Sequence, residues 1–243
     1  MRKLSILGDS ISTYAGVSSG VGVKNKTTVN NRDFFGTGIY DVSLEDTWWM
    51  RAAHALQMEI LVNNAYSGSC LLYERLDSMP AYMERCVNLH SDDGEEPDII
   101  AVYMGTNDCW FFSDTLGTEE DVDYDKLIVK AGESYTYAEP TTSCEAYAIM
   151  LHKMIQRYEE AEIYCFTLLP QVEMSDKRQE MLEDFNASVI AIAEHFGVQV
   201  VDLYNEMGQQ DKNFASYLAD ELHPSPAGMD AITKCFMEVL KKK

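Results

Sequence analysis

Ser10 closes the run Gly8-Asp9-Ser10, and His223 closes the run Asp220-Glu221-Leu222-His223 near the other end of the chain. A serine hydroxyl attacks an acyl carbon poorly until a base removes its proton. An imidazole is suited to that task near neutral pH, and general-base assistance contributes roughly 10²–10⁴-fold in rate. Asp220 stands close enough in sequence to hold the imidazole in the correct tautomer. The tetrahedral intermediate of such a reaction needs hydrogen-bond donors for its oxyanion. Candidates are the backbone N–H groups of Ser10 and Gly68, the latter in Tyr66-Ser67-Gly68-Ser69, and the amide of Asn107 in Gly105-Thr106-Asn107-Asp108. These residue types together suit acyl transfer.

Widely separated residues need a scaffold to bring them together. Five short apolar runs read as buried strands, at 3–7, 60–63, 98–104, 163–168 and 198–202. Helical patterns fall between them, at 46–56, 78–89, 143–158, 176–196 and 227–240. Ser78 is a candidate N-cap with Pro80 in the first turn, and Gly197 a candidate C-terminal cap. Strands alternating with helices predict an α/β fold, a parallel sheet covered on both faces. In such a sheet ligands bind outside the carboxyl ends of the strands. Ser10, Gly68, Asn107 and the Asp220–His223 pair all follow strands, so the topology brings them to one edge. Two long segments, 11–45 and 109–142, are expected to be irregular and to lie on that side as insertions in a single domain spanning 1–243.

The four blocks resemble those of the SGNH or GDSL family of esterases and lipases. Gly8-Asp9-Ser10-Ile11 is similar to its first block, with isoleucine in the usual leucine position. Gly68 matches the second-block glycine, Gly105-Thr106-Asn107-Asp108 the third block, and Asp220 to His223 the last. The resemblance implies a three-layer α/β/α sandwich with a flavodoxin-like five-stranded parallel sheet. It implies Ser10, Asp220 and His223 as catalytic residues, Ser10, Gly68 and Asn107 as the oxyanion hole, and no metal or organic cofactor. Substrates in the family include acetylated sugars, lysophospholipids, thioesters and simple esters. The two long segments exceed the connections of compact members and bear on the substrate rather than the chemistry.

Within that range, short-chain acyl esters are expected, especially acetyl esters of carbohydrates, because aromatic residues can stack on sugar rings. A lysophospholipase or acyl thioesterase is the alternative within the family. A non-catalytic binding protein on a hydrolase fold is the alternative of another class, and an acyltransferase cannot be told from a hydrolase by sequence. Asp9, Trp110, Phe111 and Phe112 are the candidates for lining the substrate pocket. The aromatics after Asn107, together with Tyr135 and Tyr137, either wall the pocket or anchor the insertion to the body.

Other motifs read as decoys. Gly16-Val17-Ser18-Ser19-Gly20 fits the G-x-S-x-G nucleophile elbow, but no strand precedes it. The run Asp121-Val122-Asp123-Tyr124-Asp125 lacks the glycine and glutamate that a calcium-binding EF-hand loop requires. His54, His90, His152 and His195 fall in helical patterns, and Trp48 and Trp49 lie on one helix face as core.

Composition sets the outer bounds. With 243 residues, 46% of them hydrophobic, the chain can bury one substantial core. A net charge of −21 opposes nucleic acid and anionic membrane surfaces as partners; the small-molecule ester expected as partner is what the site residues and the family resemblance imply. No run reaches the length of a membrane helix, and the start lacks the apolar core of a signal peptide, so a cytoplasmic protein is expected. The six cysteines form no metal-ligand pattern and read as reduced thiols, with Cys165 and Cys235 in the core.

Overall fold

A computed structural model describes residues 1–17, 33–208 and 214–242. In chain order it contains β1 (Lys3–Gly8), α1 (Trp48–Leu56), β2 (Glu59–Ala65), β3 (Ile99–Tyr103), α2 (Thr106–Phe111), α3 (Tyr124–Leu127), β4 (Ile128–Ala131), β5 (Ser134–Tyr137), α4 (Ser143–Arg157), β6 (Glu162–Phe166), α5 (Asp176–His195), β7 (Gln199–Val201), α6 (Leu203–Met207) and α7 (Pro226–Leu240). Five strands form one parallel sheet in the order β2-β1-β3-β6-β7. The order reverses between β1 and β3, which makes that crevice the switch point of a doubly wound, flavodoxin-like sheet.

The strands are apolar on both faces because helices cover both. Leu4, Ile6, Leu7 and all five residues of β3 are fully buried. On one side α1 packs against α7, where Trp48 meets Phe236 and the Thr233 hydroxyl donates to the Trp48 carbonyl. On the other side α4 packs against α5. Polar caps set where these helices start. Thr142 and Glu145 form a capping box at α4, Ser175 caps α5, and Ser225 caps α7 with Pro226 at its first turn. The expected α/β/α architecture with a five-stranded parallel sheet is observed.

Register determines what reaches the edge. Gly8 pairs with Ala65 on one side and Tyr103 on the other. The residues that follow these three ends, Ser10, Gly68 and Asn107, therefore emerge together.

Two expectations about local structure need correcting. Residues 78–89 form no α-helix, only a single 3-10 turn at Arg85–Val87. The backbone groups there bond elsewhere: Ser78 and Arg75 exchange hydrogen bonds, and Ala81 N–H donates to the Cys70 carbonyl. The segment 109–142 is not irregular. Beyond α2 it carries the antiparallel hairpin β4–β5. Gly132, in the left-handed region at φ 65°, turns the hairpin. The second half of the G-x-S-x-G decoy lies outside the described residues.

Candidate active site

Ser10 opens a 3-10 turn directly after β1, so its N–H is among the turn's first donors, which have no acceptor within the turn. Its hydroxyl lies 2.9 Å from His223 Nε2. On the other side of the ring, Nδ1 lies 3.0 Å from Asp220 Oδ2. Asp220 Oδ1 accepts from the N–H groups of Leu222 (2.7 Å) and His223 (2.6 Å), which folds the Asp220–His223 segment back on itself. Burial raises the Asp220 carboxyl, but these N–H donors and a phenol outweigh it and hold the group below its ordinary value. Burial pulls His223 below the ordinary histidine value, and the Asp220 charge only partly restores it. The imidazole is therefore neutral at pH 7, with Nε2 free to accept a proton.

That phenol is Tyr40, which donates to Asp220 Oδ2 at 2.7 Å. Phe34 stacks on the His223 imidazole with centroids 3.4 Å apart and planes 13° apart, and Tyr40 stacks in turn on Phe34 at 5.0 Å. Sequence reasoning missed both residues. Their only signal was a cluster of aromatics, Phe34, Phe35 and Tyr40, inside a segment otherwise rich in Gly, Ser, Thr and Asn. The first insertion thus returns to brace the histidine.

Gly68 and Asn107 stand with Ser10 and His223 on one cavity of about 460 Å³. Gly68 has φ 81°, and a Cβ there would lie 2.4 Å from Arg75 Nη1 and 2.6 Å from Leu76 Cδ1, so any other residue is strained in its backbone and displaces those side chains. The Asn107 amide donates one hydrogen to the Ser69 carbonyl at 3.0 Å, which fixes its plane and leaves the second hydrogen for a ligand.

Behind these groups lies a buried polar frame. The Asp108 carboxylate accepts from the N–H groups of Leu71 and Leu72 and from the Ser143 hydroxyl, tying the Gly68 loop to α2 and α4. Burial pushes this carboxyl up to about 6. Arg85 is fully buried and donates to the carbonyls of Gly8 (3.0 Å) and Asn64 (2.8 Å), joining the ends of β1 and β2.

Two expected pocket residues lie elsewhere. Asp9 is fully buried and off the cavity wall: its Oδ1 accepts from Ile11 N–H at 3.0 Å and caps the Ser10 turn. Burial pushes its carboxyl up to about 6, against the opposing pull of that N–H and of the nearby Arg85 charge. Phe112 turns away to pack on Tyr73 at 4.6 Å. Trp110 and Phe111 do line the cavity. Tyr135 and Tyr137 meet His152 on α4 instead, which makes them anchors of the insertion. The acidic run serves local caps: Asp121 accepts from Thr118, and Asp123 from Lys126. Among the described residues no cluster of His, Cys, Asp or Glu could hold a metal, and no helix is long and apolar enough to cross a membrane.

A five-stranded parallel sheet covered by helices, with Ser10, Gly68, Asn107 and His223 gathered at its switch point, is an SGNH-type α/β hydrolase fold. The GDSL-like lipase/acylhydrolase family matches residues 2–240, and the chain belongs to that family. A protein assigned as a GDSL-like lipase from Bacteroides ovatus ATCC 8483 superposes with a TM-score of 0.67 at 26% identity, over 100% of this chain and 99% of that one. Its counterpart from Bacteroides uniformis ATCC 8492 gives 0.67 at 25% identity, over 100% and 97%. A family two carbohydrate esterase from Clostridium thermocellum, in complex with cellohexaose, shares the fold with a TM-score of 0.58 at 16% identity, over 100% of this chain and 64% of that one. No protein of curated function matches the sequence.

Proposed function

We propose that this chain is a serine esterase that hydrolyses small carboxylic esters through an acyl-enzyme on Ser10. The observation that carries the reading is the continuous Asp220–His223–Ser10 contact chain, 3.0 and 2.9 Å, beside Gly68 and Asn107 on one cavity. His223 takes the Ser10 proton as Oγ bonds to the ester carbon. The oxyanion is received by the N–H groups of Ser10 and Gly68 and by the Asn107 amide, each donor worth roughly 10²–10³-fold in rate. His223 then protonates the leaving alcohol, and water repeats the cycle on the acyl-enzyme. Phe34, face to face with the ring, favours the imidazolium that forms in each half-reaction.

A cavity of about 460 Å³ is of a size that takes a small-molecule ester, and within that class a short acyl group is the reading proposed. Guanidinium groups of Arg75 and Arg178 cover one face each of Phe111 and Trp110, so a sugar ring would stack on the opposite face of either. Ser10→Ala and His223→Ala should each abolish p-nitrophenyl acetate hydrolysis while leaving the thermal transition in place. Retained turnover in the serine variant refutes the mechanism. An acyl series from acetyl to palmitoyl, with an acyl thioester, tests the substrate range: strong preference for long chains or the thioester replaces the short-ester reading. Acyl transfer to an added alcohol in excess of hydrolysis assigns a transferase.

A further inference from the structure

One wall of the cavity carries a positive charge that ester cleavage does not use. Arg75 lines the cavity alongside Leu76 and Phe111. Its Nη1 donates to the Gly68 carbonyl at 3.2 Å, and its guanidinium carbon lies 3.8 Å from the Phe111 ring centroid. Neither partner is an acid, and among the described residues no carboxylate pairs with Arg75. It stays so in a chain with 40 Asp and Glu against 19 Lys and Arg. Arg2, Lys3, Arg51, Lys126, Arg157 and Lys234 all have carboxylate partners. A guanidinium with one face on a ring and one N–H on a carbonyl keeps further N–H donors, in a rigid fork that matches a carboxylate.

The acids of the cavity belong to a different segment of the chain. Asp220 and Glu221 precede His223 on its own segment. Because His223 gives its proton to the departing alcohol, the alcohol leaves along that acidic segment. The acyl group then lies toward Gly68 and Arg75. With the alcohol leaving past His223, Arg75 is the cation on the cavity placed to meet the acyl group.

We propose that the preferred substrates are half-esters of short dicarboxylic acids, and that Arg75 is the specificity residue receiving the free carboxylate of the acyl group. This rests on the serine-esterase reading of the site. Ser10 Oγ bonds to the ester carbon, the bond to the alcohol oxygen breaks, and that oxygen takes its proton through His223. Water then releases the dicarboxylate, and the distal carboxylate stays on Arg75 throughout as a spectator.

The test compares kcat/KM for monoethyl glutarate and ethyl valerate, matched in chain length, by ethanol release. The wild-type enzyme should prefer the half-ester by about tenfold, the scale of one charge-assisted hydrogen-bonded contact. The preference should shrink as sodium chloride is raised. Arg75→Gln, which keeps a donor for the Gly68 carbonyl but not the charge, should bring the ratio close to one. Arg75→Lys should recover part of it. Equal wild-type rates overturn the proposal, and so does an equal loss on both esters in Arg75→Gln, the behaviour of an arginine that only props the Gly68 loop. A preference for the anion on the alcohol, read from the acetyl ester of glycolate against ethyl acetate, also overturns it. Ser10-dependent hydrolysis of ethyl valerate with no charge preference removes this inference and leaves the esterase reading standing. Hydrolysis of neither ester by the wild-type chain removes both.

Discussion

Replacing Tyr40 by phenylalanine removes one hydroxyl and leaves the ring stacked on Phe34. The lost contact is a 2.7 Å hydrogen bond to Asp220 Oδ2, the oxygen that also faces His223 Nδ1. Hydrogen bonds to charged groups contribute about 1.5–3 kcal/mol. The Asp220 side chain is 30% exposed, so water replaces part of the bond, and about 1 kcal/mol is the net loss. That corresponds to roughly fivefold in kcat if the bond holds Asp220 in its working position. KM should stay within about twofold, because Tyr40 is off the cavity wall. The pH profile separates this from a general loosening. In the wild type, kcat/KM rises with pH as His223 loses its proton, with a midpoint below the ordinary histidine value of about 6.5 because the ring is buried. Without the phenol, more of the Oδ2 charge acts on the imidazole, the imidazolium is favoured, and the midpoint moves up. Initial rates across pH 4.5–9 measure both effects. A reduced kcat with an unmoved or lowered midpoint would falsify the coupling of Tyr40 to the histidine through Asp220.

Gly68→Ala places a methyl against Arg75 and Leu76 at a φ of 81° and shifts an oxyanion donor. We expect a loss of about 10²-fold in kcat with a folded circular dichroism spectrum, and a loss below threefold argues against Gly68 N–H as a donor. Asp108→Ala leaves the N–H groups of Leu71 and Leu72 and the Ser143 hydroxyl without their buried acceptor. The cost is about 3 kcal/mol, or about 10 °C in Tm for a chain of this size, and a calorimetric shift under 2 °C contradicts the frame assigned to it. Tyr135→Ala, on the hairpin face that meets His152, should leave kcat/KM within about twofold, since the contact it removes is on α4. A larger loss would mean the hairpin reaches the substrate after all.

What was legible in the sequence was whatever local pattern controls. The central strands of the parallel sheet are buried, so they show as bare apolar runs such as Ile99–Tyr103. Ser10, Gly68, Asn107 and His223 sit just beyond strands or in a compact turn, and topology alone brings them together. Asp9 differs from its neighbour Ser10 because its carboxylate turns inward to cap the next turn, a direction that sequence adjacency does not reveal. The helix expected over 78–89 failed because the fold draws Arg85 inward to the carbonyls of Gly8 and Asn64, which no periodicity reveals. Tyr40 meets Asp220 across 180 positions, and Arg75 meets the Phe111 ring from a separate loop. Such contacts follow from tertiary packing and leave no spacing to read. The hairpin β4–β5 was the exception: alternating Ser134–Tyr137 after Gly132 carried its signal in plain view.

The central claim is that His223 activates Ser10 and no other serine. Incubation with a fluorophosphonate, followed by intact-mass and peptide mass spectrometry, tests it without knowledge of the substrate. The expected result is one adduct per chain on Ser10, lost in His223→Ala and protected by a hydrolysable ester. An adduct on Ser12 or Ser69 instead, or ester turnover that persists with Ser10 unlabelled, would contradict it.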